Sequence, residues 1–295
     1  MPSRLLRLAA PLALVAATAL GGCAPATAAD GRVPVVASFY PLAYAAEQVG
    51  GPHVRVTNLT KPGAEPHELE LGPRDVLTVA KARVAVYEKG FQPAVDDAVA
   101  QQATDNALDV AGAAHLDLHL QGGTDPHFWL DPTRYAAVAN AIADRLARVD
   151  PAHRADYAAN ARSFTTRLAA LDTTMRQHLA SCRQRQLVTS HSAFGYLARR
   201  YGFTQVGITG LTPDAEPSPS ALAAVARLVR SSGVTTVYAE TLASPAIADT
   251  VATETGAHVA TLDPLEGLTA HSAGRDYFTV MQANLRALQA GQDCP

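Results

Sequence analysis

Three histidines and an aspartate stand where a metal ion could be gathered: His67, His127, His191 and Asp263. Three imidazoles and one carboxylate suit a divalent transition metal, zinc foremost, because neutral imidazole is a borderline ligand and carboxylate a compact anionic one. The chain has 10 histidines, too many for one site, so position must choose among them. His67 closes the run Pro62-Gly63-Ala64-Glu65-Pro66-His67, and His127 sits in Asp125-Pro126-His127-Phe128-Trp129-Leu130-Asp131-Pro132. His191 directly follows Leu187-Val188-Thr189-Ser190, and Asp263 ends Val259-Ala260-Thr261-Leu262. Each place reads as the carboxyl end of a strand or the loop just after it, where open parallel sheets bind their ligands. Taken singly, a histidine is more often structural or solvated. The shared position is what argues for a site.

Glu65 and Glu240 also lie at strand ends, and each fits two readings. One is a hydrogen-bond partner that orients a ligand imidazole; the other is an ordinary loop carboxylate. His53, His153, His178, His258 and His271 carry no such signal and read as structural or solvated. There is no His-Glu-x-x-His pair and no Gly-x-Ser-x-Gly elbow, two signatures that would have pointed to hydrolysis.

The elements that must position these residues alternate β-rich runs with helical patterns, which implies parallel sheets with crossover helices. In the first half, strands are expected at 33–39, 54–60, 83–87 and 106–110, with helices at 41–49, 73–82, 93–102 and 132–149. In the second, strands are expected at 186–190, 205–208, 235–239 and 257–262, with helices at 193–201, 219–231, 245–255 and 276–288. Between them, Asp150-Pro151 supplies an N-cap and a first-turn proline. Residues 152–180 contain neither Gly nor Pro, and Tyr157, Phe164, Leu168, Leu171, Met175 and Leu179 recur on one helical face. A helix over 150–181 would be roughly 40–45 Å long, too long for a crossover inside one lobe. The expected fold is therefore α/β: lobes at 33–149 and 182–295, each of about four parallel βα units, joined by one long rigid helix. Each lobe holds two of the four metal-binding candidates, so a cleft between the lobes could gather them all.

The first residues read as an export signal. Arg4 and Arg7 precede an apolar run over 8–20, too short to span a bilayer comfortably, so 1–22 is expected to be a signal peptide. Leu20-Gly21-Gly22-Cys23 resembles a bacterial lipobox, which would make Cys23 a lipidated N-terminus and 23–32 a tether. Cleavage near Ala28-Ala29, releasing a secreted protein, is the alternative. Export leaves Cys182 and Cys294 as an even pair in an oxidising compartment, where a disulfide is favoured over two separate thiols. Such a bond would contribute roughly 4–5 kcal/mol by loop closure. Hydrophobic residues are 48% and charged residues 17%, a globular composition. The net charge is −3 and no basic stretch occurs, which sets nucleic-acid binding aside. Nothing calls for obligate association, and a monomer is expected.

Read in order, the stretches "ASFYPLAYAAEQVGG", "KPGAEPHELEL", "DPHFWLDP", "TSHSAFGYLARRYGF", "EPSPSALAAVARLV", "VYAETLAS" and "TLDPLEGL" resemble the zinc- and manganese-binding solute-binding proteins of bacterial ABC transporters. The resemblance covers essentially the whole chain after the leader. It implies two α/β lobes on one rigid helix with the metal between them, and His67, His127, His191 and Asp263 as ligands. Relatives that prefer manganese often have glutamate where this chain has His191, so the zinc branch is implied, with a manganese-binding homologue as the alternative. Many zinc-specific relatives carry a long His- and Asp-rich loop before the second ligand; here only 113–125 remains, with His115 and His119 as auxiliary metal-capture residues or merely solvated ones. The function implied is an extracytoplasmic receptor that hands Zn²⁺ to an ABC permease with its ATPase, lipid-anchored or periplasmic, and not an enzyme. Two rivals stay open: a secreted zinc hydrolase with Asp263 or Glu65 as base, and an adhesin or structural lipoprotein that uses metal only for stability.

Overall fold

The computed structural model describes residues 31–120 and 123–295. The expected signal peptide, Cys23 and most of the tether therefore lie outside the described residues. The first lobe runs β1 (Val33–Ala37), α1 (Tyr40–Gly50), β2 (Val54–Asn58), α2 (Pro73–Lys81), β3 (Val84–Tyr87), α3 (Pro93–Gln102) and β4 (Ala107–Asp109). A short helix α4 (Ala111–Ala114), a small antiparallel hairpin of β5 (His119–Leu120) and β6 (Gly123–Thr124), and α5 (Pro132–Val149) complete it. The connecting helix is α6 (Arg154–Leu179). The second lobe runs β7 (Gln186–Thr189), α7 (Gly195–Tyr201), β8 (Thr204–Gly207), α8 (Pro219–Ser231), β9 (Thr236–Ala239), α9 (Ala246–Thr255), β10 (His258–Thr261) and α10 (Tyr277–Gly291).

Each lobe is built on a four-stranded parallel sheet, in the orders β2-β1-β3-β4 and β10-β9-β7-β8. Counted from the start of each lobe, both orders are second-first-third-fourth, so the two lobes repeat one topology. The strands expected from sequence are all present; seven are one or two residues shorter, and β8 keeps its expected length displaced by one residue. The central strands are buried on both faces, as in Val84–Tyr87 and Thr236–Ala239, which is why they read as unbroken apolar runs. Caps fix where helices begin. Asp131 accepts from the Thr133 amide at the start of α5, Ser218 from Ala221 at α8, and Asp276 from Thr279 at α10. Gly202, at φ +77°, ends α7 in the left-handed conformation that glycine adopts without strain.

The connecting rod starts later than the sequence suggests. Pro151–His153 form a single 3₁₀ turn, because the Asp150 carboxylate bonds His153 Nδ1 (2.7 Å) and the Tyr157 hydroxyl (2.6 Å) instead of capping a longer α-helix. The 26 residues of α6 still span roughly 39 Å. Tyr157, Phe164, Leu168, Leu171, Met175 and Leu179 are all buried, against α1, α5 and α10. One continuous core therefore runs from the first sheet through α6 into the second lobe, and it holds the lobes as one body. Cys182 and Cys294 form a disulfide that ties the end of this rod to the C-terminus. Among the described residues, no helix is long and apolar enough to cross a membrane.

Candidate metal centre

Both sheets point the carboxyl ends of their strands at the cleft between the lobes, and the loops leaving those ends build the site. His67 lies in the long loop after β2, His127 just before a 3₁₀ turn over Phe128–Leu130, and His191 directly after β7. These three histidines come together as expected from sequence. The carboxylate that joins them is Glu266, with one ligand atom from each residue within 4.8 Å of all the others. Glu266 Oε1 lies 3.0 Å from His127 Nε2, 3.3 Å from His191 Nε2 and 3.4 Å from His67 Nε2. His127 Nε2 and His191 Nε2 are 3.4 Å apart. Zinc–ligand bonds near 2.0–2.1 Å set tetrahedral edges of about 3.3 Å, so the cluster has the dimensions of a zinc site.

Asp263, expected in the set, is not among the four. Its Oδ1 accepts the Leu265 amide at 2.8 Å, and its own amide and carbonyl pair with the Asn284 side chain at 2.9 and 2.7 Å. Burial raises its carboxyl above the usual range. The residue acts as a clasp that turns the loop, and the turn delivers Glu266 three positions later. "TLDPLEGL" contains both carboxylates, and a strand-end rule selects the nearer one; only the left-handed turn at Leu265, at φ +58°, shows which one reaches the cleft.

Outer partners fix two of the three imidazoles. Glu240 accepts the His191 amide at 2.9 Å and meets His191 Nδ1 with its other oxygen. That is the geometry of a carboxylate that orients an imidazole. Asp125 does the same for His127, accepting its amide at 2.9 Å and lying 2.8 Å from Nδ1. Asp125 was not expected from sequence; its place two residues before His127 in a Pro-containing turn is the signal that points to it. Glu65 accepts the His67 amide at 3.0 Å but lies 3.9 Å from that ring's Nε2, so it braces the loop more than the imidazole. His67 instead sets its ring edge-on to Phe91, with centroids 4.6 Å apart.

The electrostatics follow from this packing. Burial alone would push the Glu266 carboxyl up, but the hydrogen bonds and charge of His127, His191 and His67 hold it well below the usual range. Burial pulls the His191 imidazole down, and the Glu240 and Glu266 carboxylates override that, lifting it to about 10. His127 is likewise raised, with Asp125 and Glu266 outweighing burial. A compact nest of two clamped imidazoles around an anion is poised to exchange protons for a dication.

A cavity of about 560 Å³ adjoins the cluster and is lined by His67, Glu68, Glu88, Phe91, Thr124 and Thr212. Of the four clustered residues, only His67 is among those lining it. His115 and His119 stay away from the cluster. His115 is exposed at the end of α4, and His119 is exposed with its Nδ1 3.2 Å from Thr124 Oγ1. His53 and His153 stack at 3.8 Å beside Asp156 and Asp150, far along the chain fold from the metal residues.

Residues 35–291 match the family described as zinc-uptake complex component A, periplasmic. The zinc-binding lipoprotein AdcA of Streptococcus pneumoniae is 34% identical over 301 residues, covering 96% of this chain and 60% of that protein. The high-affinity zinc uptake system protein ZnuA of Bacillus subtilis is 31% identical, covering 88% of this chain and 87% of that one. The solved Zn(II)-bound ZnuA-like domain of Streptococcus pneumoniae AdcA superimposes with a TM-score of 0.77 at 35% identity, covering 89% of this chain and all of that domain. The chain spans 57–60% of the length of the AdcA relatives it matches. By the extent of the family match, this chain belongs to the zinc-uptake component A family of solute-binding proteins.

Proposed function

We propose that this protein is an extracytoplasmic zinc receptor: it takes Zn²⁺ as cargo between its lobes and presents it to an ABC permease driven by an ATPase. The ligands in this reading are His67, His127, His191 and Glu266. The observation that carries it is the convergence of three imidazole Nε2 atoms on one Glu266 oxygen at 3.0–3.4 Å. Four protein donors close a tetrahedral site and leave no position for an activated water, which suits binding and release and not hydrolysis. Three nitrogen donors favour zinc over manganese on affinity order. Anchoring through a lipidated Cys23 and action as a monomer belong to the same proposal, the former supported by the lipoprotein name of the pneumococcal relative. His115 and His119, exposed beside the hairpin, are proposed at most as outer contacts for an arriving ion.

The test is metal content under competition. The protein is stripped with chelator, offered equimolar zinc and manganese, desalted and analysed by elemental mass spectrometry. One zinc per chain, lost in His191→Ala and in Glu266→Ala, is the expected result. One manganese per chain would keep the site and overturn the cargo. Retention of neither metal would overturn the site.

A further inference from the structure

The Glu266 loop is held in a conformation it would not adopt alone. Leu265 sits at φ +58°, a left-handed conformation that is strained for a non-glycine residue and persists only where its surroundings over-determine it. Within the second lobe, Asn284 on α10 grips the Asp263 backbone through two hydrogen bonds, and the Asp263 carboxylate accepts the Leu265 amide. One further bond comes from the other lobe. The indole Nε1–H of Trp129 donates to the Pro264 carbonyl at 2.7 Å. Trp129 is itself fixed: it is fully buried, Tyr277 of α10 donates to its carbonyl at 2.7 Å, and its ring lies 5.3 Å from that of His127.

We infer that Trp129 is a positioning residue for zinc binding: its indole N–H reaches across the cleft to Pro264 and holds Glu266 against the three histidines. The inference rests on the four-ligand reading of the site. The same residue follows His127 by two positions, so one short segment sets a ligand from its own lobe and steers the carboxylate of the other. Loss of the Trp129–Pro264 bond leaves the Pro264 carbonyl unsatisfied, relaxes the turn at Leu265 and withdraws Glu266 from the histidines. A residue of one lobe thereby sets the reach of the carboxylate of the other through one hydrogen bond.

A double-mutant cycle with Glu266 tests this, with zinc affinity read by competition against a chromophoric chelator. Trp129→Phe keeps an aromatic ring and removes the donor. It is expected to weaken zinc binding about ten-fold in the parent and less than two-fold in Glu266→Gln, since residues acting through one another are non-additive. A merely structural role would give equal losses in both backgrounds, and that result overturns the inference. So does an unchanged affinity in Trp129→Phe while Glu266→Gln binds weakly. If Glu266→Gln itself binds zinc as tightly as the parent, the ligand assignment fails instead. The chain has 1 tryptophan, so benzothienylalanine, which keeps the indole shape with sulfur in place of N–H, can be placed at this position alone. It must reproduce the ten-fold loss even if Trp129→Phe fails to fold; full affinity with this analogue would overturn the inference.

Discussion

The two lobes share one strand order, but the three clustered histidines are held by two different means, and the first lobe contains one of each kind. His191 stands two positions beyond the end of β7, braced by Glu240 from just after the neighbouring strand β9. His67 stands nine positions beyond the end of β2, in a loop held by backbone bonds to Glu65 and Gln92, with its ring against Glu266 and the edge of Phe91. His127 resembles His191, since Asp125 clamps its Nδ1 and it is fully buried. A short tether with a buried carboxylate at Nδ1 braces an imidazole from behind, whereas the His67 ring is held through Nε2 by Glu266 and by the edge of Phe91. The difference bears on how the proposed site would fill. In that proposal two imidazoles and Glu266 form a preset nest, and His67, which borders the cavity, closes over it.

The sharpest way to break this comparison is to remove the ligands one at a time. Structural zinc sites bind with roughly 10–16 kcal/mol over four ligands, so each is worth about 3 kcal/mol and its loss on the order of a hundred-fold in affinity. His127→Ala and His191→Ala are expected to lose at least that much. His67→Ala is expected to lose less in affinity and to speed zinc dissociation, which stopped-flow chelator capture would measure. Equal dissociation rates in all three variants would remove the distinction between nest and gate. Acid weakens binding in every form, because imidazole must be neutral to coordinate.

The next effect down is that of the outer carboxylates. Substituting partners that orient ligand histidines costs about 10–100-fold in metal affinity. Glu240→Gln and Asp125→Asn are expected in that range, measured by the same competition. Glu65→Gln, at a side chain whose hydrogen bonds are to the His67 and Glu68 backbone amides and not to an imidazole, is expected to change affinity less than about five-fold. A loss with Glu65→Gln as large as with Glu240→Gln would show that His67 is clamped like the others.

How much of this was legible in the sequence divides along the same line. The two sheets, the helical rod and its buried face, and the three histidines that the structure clusters follow from alternation, spacing and strand-end position. These are local properties, and local sequence reports them; the Cys182–Cys294 pairing instead followed from counting the cysteines left after export. What escaped depends on chain reversal. Asp263 and Glu266 share a few residues of one loop, and a left-handed Leu265 held by Asn284 and Trp129 decides between them. Asn284 is 21 positions away and Trp129 is 135, so no window on the sequence contains the answer. Asp125 escaped for a different reason: it was adjacent to His127, but its role is visible only once the ring's Nδ1 has a direction. The 3₁₀ turn before α6 escaped because Asp150 serves two side chains where a single cap was expected.

A smaller effect sharpens the interface on which the preset half of the site rests. A Cβ added at Gly195, the first residue of α7, would lie 2.4 Å from Asp125 Oδ2 and 3.1 Å from Leu118. The second lobe therefore approaches the His127 partner more closely than any side chain permits. Gly195→Ala is expected to displace Asp125 and weaken zinc binding several-fold, up to about ten-fold, at the low end of outer-partner effects. It should have little further effect in Asp125→Asn, where the carboxylate charge is already gone. Isothermal titration of both single variants and the double variant measures this. An additive loss would place the clash on the lobe packing instead of on the His127 clamp.

The smallest expected effect on zinc belongs to the charge cluster that docks α7 on α6. Asp172, buried on α6, accepts from Arg200 at 2.8 and 2.7 Å and pairs with Arg176 at 3.2 Å. Burial raises its carboxyl, but the Arg200 bonds outweigh burial and hold it below the ordinary value of 3.8. A carboxylate depressed in the folded state contributes stability that is fully present above its unfolded value and is lost as pH falls through the folded one. Asp172→Asn is expected to cost about 2–3 kcal/mol of stability, since hydrogen bonds to charged groups are broken and Arg200 loses its partner. That deficit relative to the parent should hold constant from pH 7 down to about 5 and shrink below about 4, as followed by urea unfolding. Zinc affinity at neutral pH should change less than two-fold, because the nest at His127, His191 and Glu266 is oriented by Asp125, Glu240 and Trp129 and not by this cluster. A zinc loss in Asp172→Asn that matched that of Glu240→Gln would mean that the docking of α7, and with it the whole second lobe, sets the site, and the contrast between a preset nest and a movable His67 would give way to a single rigid unit.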